Sequence, residues 1–143
     1  SAGLVRVHRK ALMLTPRGRR AAAGPDQLAV ALAAGWFPTP RTAQVVAREV
    51  LAAVLAAGGA TTLDDVAELT RAVLVEDGWS VAGGRVPLDA AHDVVLPVYR
   101  QAYWAQLVDR GRGMALRARP ALVPLLRAAL RYHLMHHGLT QLR

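Results

Sequence analysis

The chain contains no cysteine. That removes a disulfide framework, a thiolate metal site and a cysteine nucleophile together. Lys10 is the only lysine, so nearly every cation is an arginine. Aromatic residues make up 5% of the sequence, which leaves the core to Leu, Val and Ala and implies closely packed helices. Long apolar runs are absent too. The longest, Val50 to Ala57, falls far short of the ~18 residues of a membrane span. No signal-peptide pattern opens the sequence, since the apolar stretch behind its first basic residues, Ala11 to Leu14, falls short of the ~7–15 residues of a leader. These absences make a cytoplasmic protein without membrane insertion the expectation.

What remains is 143 residues, 53% of them apolar, enough for one domain or one and a half small ones. The formal charge is +8, and it is unevenly spread. Residues 1–20 hold Arg6, Arg9, Lys10, Arg17, Arg19 and Arg20 with no acid. Residues 110–131 hold Arg110, Arg112, Arg117, Arg119, Arg127 and Arg131, again with no acid. Residues 61–93 reverse the balance: two arginines against Asp64, Asp65, Glu68, Glu76, Asp77, Asp89 and Asp93. A chain sorted in this way presents one face to a polyanion and keeps another neutral or acidic.

Local patterning is mainly helical. Leu4 to His8 alternates apolar and polar residues as a half-buried strand does, Arg9-Lys10 can turn it, and Ala11-Leu12-Met13-Leu14 returns, giving a hairpin over Val5–Leu14. Thr15-Pro16 opens a helix to Ala23, which Gly24-Pro25 stops. A helix from Gln27 to Ala34 ends at Gly35, and Trp36-Phe37-Pro38 reads as a packing corner. Thr39-Pro40 repeats the helix-start signal. Its helix runs to about Ala57, with the apolar second half serving either as the centre of a domain or as an oligomer interface. Thr62 caps a helix over Leu63–Val75 with Asp64 and Asp65 at its positive end. The loop after it is anchored by Trp79 and Val81. From Asp89 to Leu107 the spacing of Ala91, Val95, Val98 and Ala102 gives one buried face, and Pro97 predicts a kink or a split after Val95. Arg110-Gly111-Arg112-Gly113 forms the tip of a second hairpin over Val108–Arg117, and a final helix runs from Pro120 to His137.

The two ends echo each other. Leu4-Val5 leads through a basic turn and Leu12-Met13-Leu14 to Pro16; Leu107-Val108 leads through a basic turn and Met114-Ala115-Leu116 to Pro120. Leu12-Met13-Leu14-Thr15-Pro16-Arg17-Gly18 resembles the junction between the wing and the last helix of winged helix-turn-helix proteins. The order Leu-Thr-Pro-Arg-Gly-Arg, Gly78-Trp79 and a helix entering Gln106-Leu107-Val108 resembles the C-terminal region of an actinobacterial plasmid- and transposon-associated winged-helix family. The resemblance follows residues 3–137 in order of elements, and only residues 12–19 match specifically. It implies a mainly α fold with two short β-hairpins: one partial winged helix followed by a complete one. The divisions are residues 1–24 (end of a first winged helix), 25–38 (connector helix), 39–138 (second winged-helix-like domain) and 139–143 (tail).

The chemistry that follows is contact with nucleic acid, DNA above all, in a transcriptional or mobile-element setting. Arg6, Arg9, Lys10, Arg17, Arg110, Arg112, Arg117 and Arg119 are the candidate phosphate contacts, because wings bearing guanidiniums position a protein on the backbone. Arg100 and Gln101, on the helix before the second hairpin, are residue types that reach base edges. The alternative is a protein-interaction module on the same scaffold, with alanine-rich helix faces as the interface. His133 and His137 share a helix face with His136 beside them, but no third ligand or nearby acid completes a metal site. Helix-terminal histidines favoured by the dipole are the simpler account. Ser80, His92 and Asp93 do not form a triad, and neither a P-loop nor Gly-x-Gly-x-x-Gly occurs, so no cofactor and no enzyme activity is expected. Leu4, Leu12 and Leu14 have no helix ahead of them to cover the first hairpin. That predicts a piece of a longer protein and a homodimer through residues 3–23.

Overall fold

The computed structural model describes residues 5–8, 11–14, 24–104, 108–110 and 115–138. In chain order the elements are β1 (Val5–His8), β2 (Ala11–Leu14), α1 (Pro25–Trp36), α2 (Ala43–Ala56), α3 (Leu63–Glu76), α4 (Leu88–Trp104), β3 (Val108–Arg110), β4 (Leu116–Ala118) and α5 (Val123–His133). A 3-10 turn, Pro120–Leu122, precedes α5, and a π-helical turn, Leu134–Gly138, follows it. The fold is mainly helical, and none of the described helices is long and apolar enough to cross a membrane. The chain divides into two compact units. Thr39–Val123 forms one; Ser1–Pro38 with Pro124–Arg143 forms the other.

In the first of these units α2, α3 and α4 pack on one another in all three pairings. Each start has a local cause. Thr42, in extended conformation, accepts a hydrogen bond from the Val45 amide at 3.3 Å, and Thr62 does the same for Asp65 at 3.2 Å. A capping oxygen satisfies an amide that has no helical partner. Thr62 therefore caps as its sequence implies, whereas the start expected at Thr39-Pro40 lies three residues further on. The side chain of Thr42, not that of Thr39, is the one in reach of a first-turn amide.

Helix α2 sits at the centre. Val45, Val46, Ala47, Leu51, Ala52, Leu55 and Ala56 are all buried, and the helix also packs against β4. Burial of Leu51, Ala52, Leu55 and Ala56 fits the central-helix alternative for Val50–Ala57, while Ala53 and Ala57 remain exposed. At the far end Val46, Leu74 and Val86 form a cluster supported by Ala43, Val50, Val73 and Ala90. The loop after α3 is thus pinned by Val86, which is 3% exposed and whose carbonyl accepts from Arg71 Nε at 2.8 Å. The anchors expected there, Trp79 and Val81, are instead 41% and 48% exposed. The residues between them and Val86 turn tightly, with Val81 and Gly84 exchanging amide–carbonyl bonds across Ala82 (φ 51°) and Gly83 (φ 77°). Positive φ at both central positions is the mirror-type turn that suits glycine and carries Val81 away from the core.

Helix α4 buries Ala91, Val95, Val98 and Ala102, the face read from the sequence. The expected split at Pro97 does not occur: Leu88–Trp104 is one helix with Pro97 on its exposed side. There the ring displaces solvent, not packed neighbours. After α4, β3 and β4 pair antiparallel, with Val108 opposite Ala118, Asp109 opposite Arg117 and Arg110 opposite Leu116. Thr61, between α2 and α3, extends this pair. Its amide donates to the Leu116 carbonyl and its carbonyl accepts from the Leu116 amide, both at 2.7 Å. The Tyr99 hydroxyl donates to the same Thr61 carbonyl at 3.4 Å.

In the other unit β1 and β2 pair antiparallel, with Val5 opposite Leu14, Arg6 opposite Met13 and Val7 opposite Leu12. Helix α1 buries Ala29, Ala31, Ala33 and Trp36, and α5 buries Leu126, Ala129 and His133. The Phe37 ring stacks on His133 with centroids 4.3 Å apart. The helix expected from Pro120 begins instead as a 3-10 turn, and its α-helical part starts at Val123 and ends at His133. The helix expected over Thr15–Ala23 and the covering of Leu4, and the side chains of Leu12 and Leu14, lie outside what is described.

Candidate nucleic-acid interface

The charge inventory changes once the units are known. Thr39–Val123 carries nine arginines and nine carboxylates, so the whole formal excess of +8 belongs to the other unit. Within Thr39–Val123 the two signs are separated along the chain. Asp64, Asp65, Glu68, Glu76, Asp77, Asp89 and Asp93 are exposed on α3, its end and the first half of α4. Arg100, on the second half of α4, and Arg117, on β4, are exposed at the opposite end of the element order.

The α4 surface therefore has two characters. Leu88, Asp89 and Asp93 occupy its N-terminal half, where carboxylates repel phosphate. Arg100, Gln101 and Tyr103 occupy its C-terminal half, next to the connection into β3. Gln101 is not alone: Arg48 Nη2 of α2 donates to Gln101 Oε1 at 3.2 Å. Arg48 is absent from the contacts expected from sequence, since it follows Gln44 by one turn on the polar side of α2 and nothing local distinguishes it. Partial burial of its guanidinium lowers its pKa. With its oxygen engaged, Gln101 retains two N–H donors for an outside acceptor.

In the hairpin register Arg117, which is exposed, pairs across the strands with Asp109. Arg110 pairs with Leu116, which is buried. Arg119 is partly exposed just before the 3-10 turn. Helix α4 packs on β3 and α2 on β4, so the hairpin is attached to the helices that carry Arg100 and Arg48. Arg112, Arg9, Lys10 and Arg17 lie outside the described residues, and for Arg6 and Arg110 only the backbone is described.

Two other groups stand out. Arg41 joins Glu49 through Nε and Nη2 (2.9 and 3.1 Å) and Asp77 through Nη1 (2.5 Å), tying the start of α2 to the end of α3. The hydrogen bond to Glu49 leads the causes that raise the Arg41 pKa; burial opposes it. His92 Nε2 lies 3.3 Å from Asp64 Oδ1, a surface contact between α4 and α3.

The histidines at the end of α5 have separate employments. His133 is buried against Phe37, whereas His136 is exposed, stacks on Tyr132 at 4.0 Å and has Nδ1 2.9 Å from the Tyr132 carbonyl oxygen. The side chain of His137 lies outside the described residues. No group of three or more metal-ligating side chains converges among the described residues. No protein-family model, no curated protein and no solved structure matches the chain.

Proposed function

We propose that Thr39–Val123 is a winged-helix module that binds DNA through its hairpin and the C-terminal half of α4. The observation that carries this reading is the mutual pair of hydrogen bonds between Thr61 and Leu116. It makes the order helix, single strand residue, helix, helix, hairpin, with the strand residue closing on the hairpin's second strand. That is how a winged helix attaches its wing to a three-helix core. Such modules present one helix and the wing to the duplex.

The distribution of charge selects the contact end. Asp89 and Asp93 disfavour phosphate at the start of α4, while Arg100, Gln101, Arg117 and Arg119 supply donors at its other end. The neutral unit supplies position, and the basic unit outside Thr39–Val123 supplies the general attraction to a polyanion. Arg6, Arg9, Lys10 and Arg17 belong to that second contribution. The process served is then transcriptional control or the maintenance of a mobile element in the cytoplasm.

The test is titration of the full chain into a random duplex at low and moderate salt. A specific or sequence-tolerant DNA binder loses affinity linearly in log–log form, with a slope of ~0.9 per phosphate neutralised. Absence of binding at low salt ends the proposal.

A second reading, protein interaction on the same scaffold, is favoured by the apolar side chains left exposed on α3 and on the loop after it.

A further inference from the structure

The outward side of α3 is mixed in a particular way. Leu69, Ala72 and Val75 recur every three residues and are all exposed; Leu69 is 48% exposed. Glu68 and Glu76 lie among them on the same side. A helix of this kind normally turns its large aliphatics inward, and α3 already has an inward face in Val66, Ala67, Thr70 and Leu74. The helix is therefore apolar on two sides, with acid bordering only the outer one.

The reciprocal surface lies elsewhere in the same chain. On α5 and the π-helical turn after it, Arg127, Arg131, Leu134 and Met135 are exposed, at spacings of four, three and one that bring them to one side. Met135 is 63% exposed, and no acid occurs on α5 or its π-helical turn. One face offers leucine and valine with glutamates; the other offers leucine and methionine with arginines. Each carries the sign the other lacks, and each has aliphatic side chains for which water is a poor neighbour.

We infer that the α3 face of one copy seats the α5 face of a second copy, so that the chain associates head to tail. The contact is heterologous, so every copy keeps one α3 face and one α5 face open to the next. It is small and partly ionic, so it forms at high protein concentration and weakens with salt. This inference does not depend on the DNA-binding proposal, since it involves neither the hairpin nor α4.

Two double variants test it by sedimentation equilibrium without DNA. Leu69→Lys with Glu76→Lys removes the α3 face, and Arg131→Glu with Met135→Glu removes the α5 face. Wild type shows an average mass that rises with concentration at low salt and falls back in high salt. Each variant alone stays monomeric with an unchanged circular dichroism spectrum. Their equimolar mixture forms dimers and nothing larger, because it retains one intact pairing of wild-type faces. Should the first variant lose its helical spectrum, Glu68→Lys with Glu76→Lys replaces it, changing only exposed charges. A wild type that remains monomeric at low salt, variants that still associate alone, or a mixture that stays monomeric overturns the inference.

Discussion

Thr61 and Leu116, more than fifty residues apart, exchange both of their backbone hydrogen bonds at 2.7 Å. Both are buried, so neither amide has water as an alternative partner. Replacing Thr61 by proline deletes the donor to the Leu116 carbonyl and is expected to cost about 3 kcal/mol or more. Thr61→Val keeps the backbone and is expected to stay within about 1 kcal/mol, as β-branched residues suit extended positions. Urea unfolding of both variants checks this. Equal midpoints for Thr61→Pro and wild type would mean that the hairpin contributes no stability through Thr61.

For the proposed interface, Arg117→Ala and Arg119→Ala are expected to weaken DNA binding about equally on unrelated sequences and to lower the salt slope by ~1 for each phosphate no longer neutralised. Arg100→Ala is expected to act on selectivity: a base contact is worth about 1–3 kcal/mol of discrimination. The measurement is fluorescence anisotropy on a panel of duplexes, with Arg85→Ala, on the exposed loop before α4, as the control that leaves affinity unchanged. If Arg85→Ala weakens binding as much as Arg117→Ala, the effect is net charge and not the hairpin.

The helices were legible because their causes are local. Thr62 three residues before Asp65, and Ala91, Val95, Val98 and Ala102 at helical spacing, need no knowledge of the rest of the chain. Some local signals still misled: Thr42 caps α2 in place of Thr39, and Pro97 does not split α4. Other errors fall where a distant residue decides. Trp79 is the largest apolar side chain of its loop and Val81 is identical to Val86, yet Val86 anchors the loop because Val46 and Leu74 stand ready to receive it. Thr61 has no strand neighbours in sequence; only Leu116 makes it part of a sheet edge. Of the candidate site, Arg100 and Arg117 are exposed as their positions implied, while the tie from Arg48 to Gln101 depends on how α2 crosses α4. The neutrality of Thr39–Val123 was hidden for the same reason. It depends on α5 grouping with the N-terminal segment, which no run of charges announces.

The Arg41 bridge gives a third prediction. Two of its nitrogens serve Glu49, whose side chain is only 14% exposed, and the third serves Asp77. Arg41→Met leaves that carboxylate short of its cation and is expected to cost about 1.5–3 kcal/mol. Arg41→Lys keeps the charge but not the fork, so it recovers only part of the loss. Because the Arg41 pKa is raised, its contribution is fully present below the unfolded value and is lost only as pH passes the folded one, beyond the alkaline range of ordinary measurement. The stability difference between wild type and Arg41→Met is therefore expected to stay level from neutral pH upward. A difference that shrinks between neutral and mildly alkaline pH would show that some other group carries it.

Pro97 lies inside α4, where a proline has no amide to donate to the carbonyl four residues back, here that of Asp93. Interior proline is unfavourable relative to alanine by about 3 kcal/mol in a helix, partly relieved where the helix bends on its solvent side. Pro97 and Asp93 are both exposed, so an alanine at 97 meets no packed neighbour and restores the missing bond. Pro97→Ala is accordingly expected to stabilise the chain by about 1–3 kcal/mol, read as a higher urea midpoint with unchanged slope. The same substitution bears on function, because Arg100 follows Pro97 by about one turn of helix. If the proline sets the direction in which Arg100 leaves the core, Pro97→Ala gains stability and loses DNA affinity together. Gain in stability with affinity unchanged would make the proline a tolerated fault in the helix. A loss of stability would show that the path of α4 between Val95 and Val98 depends on the ring itself.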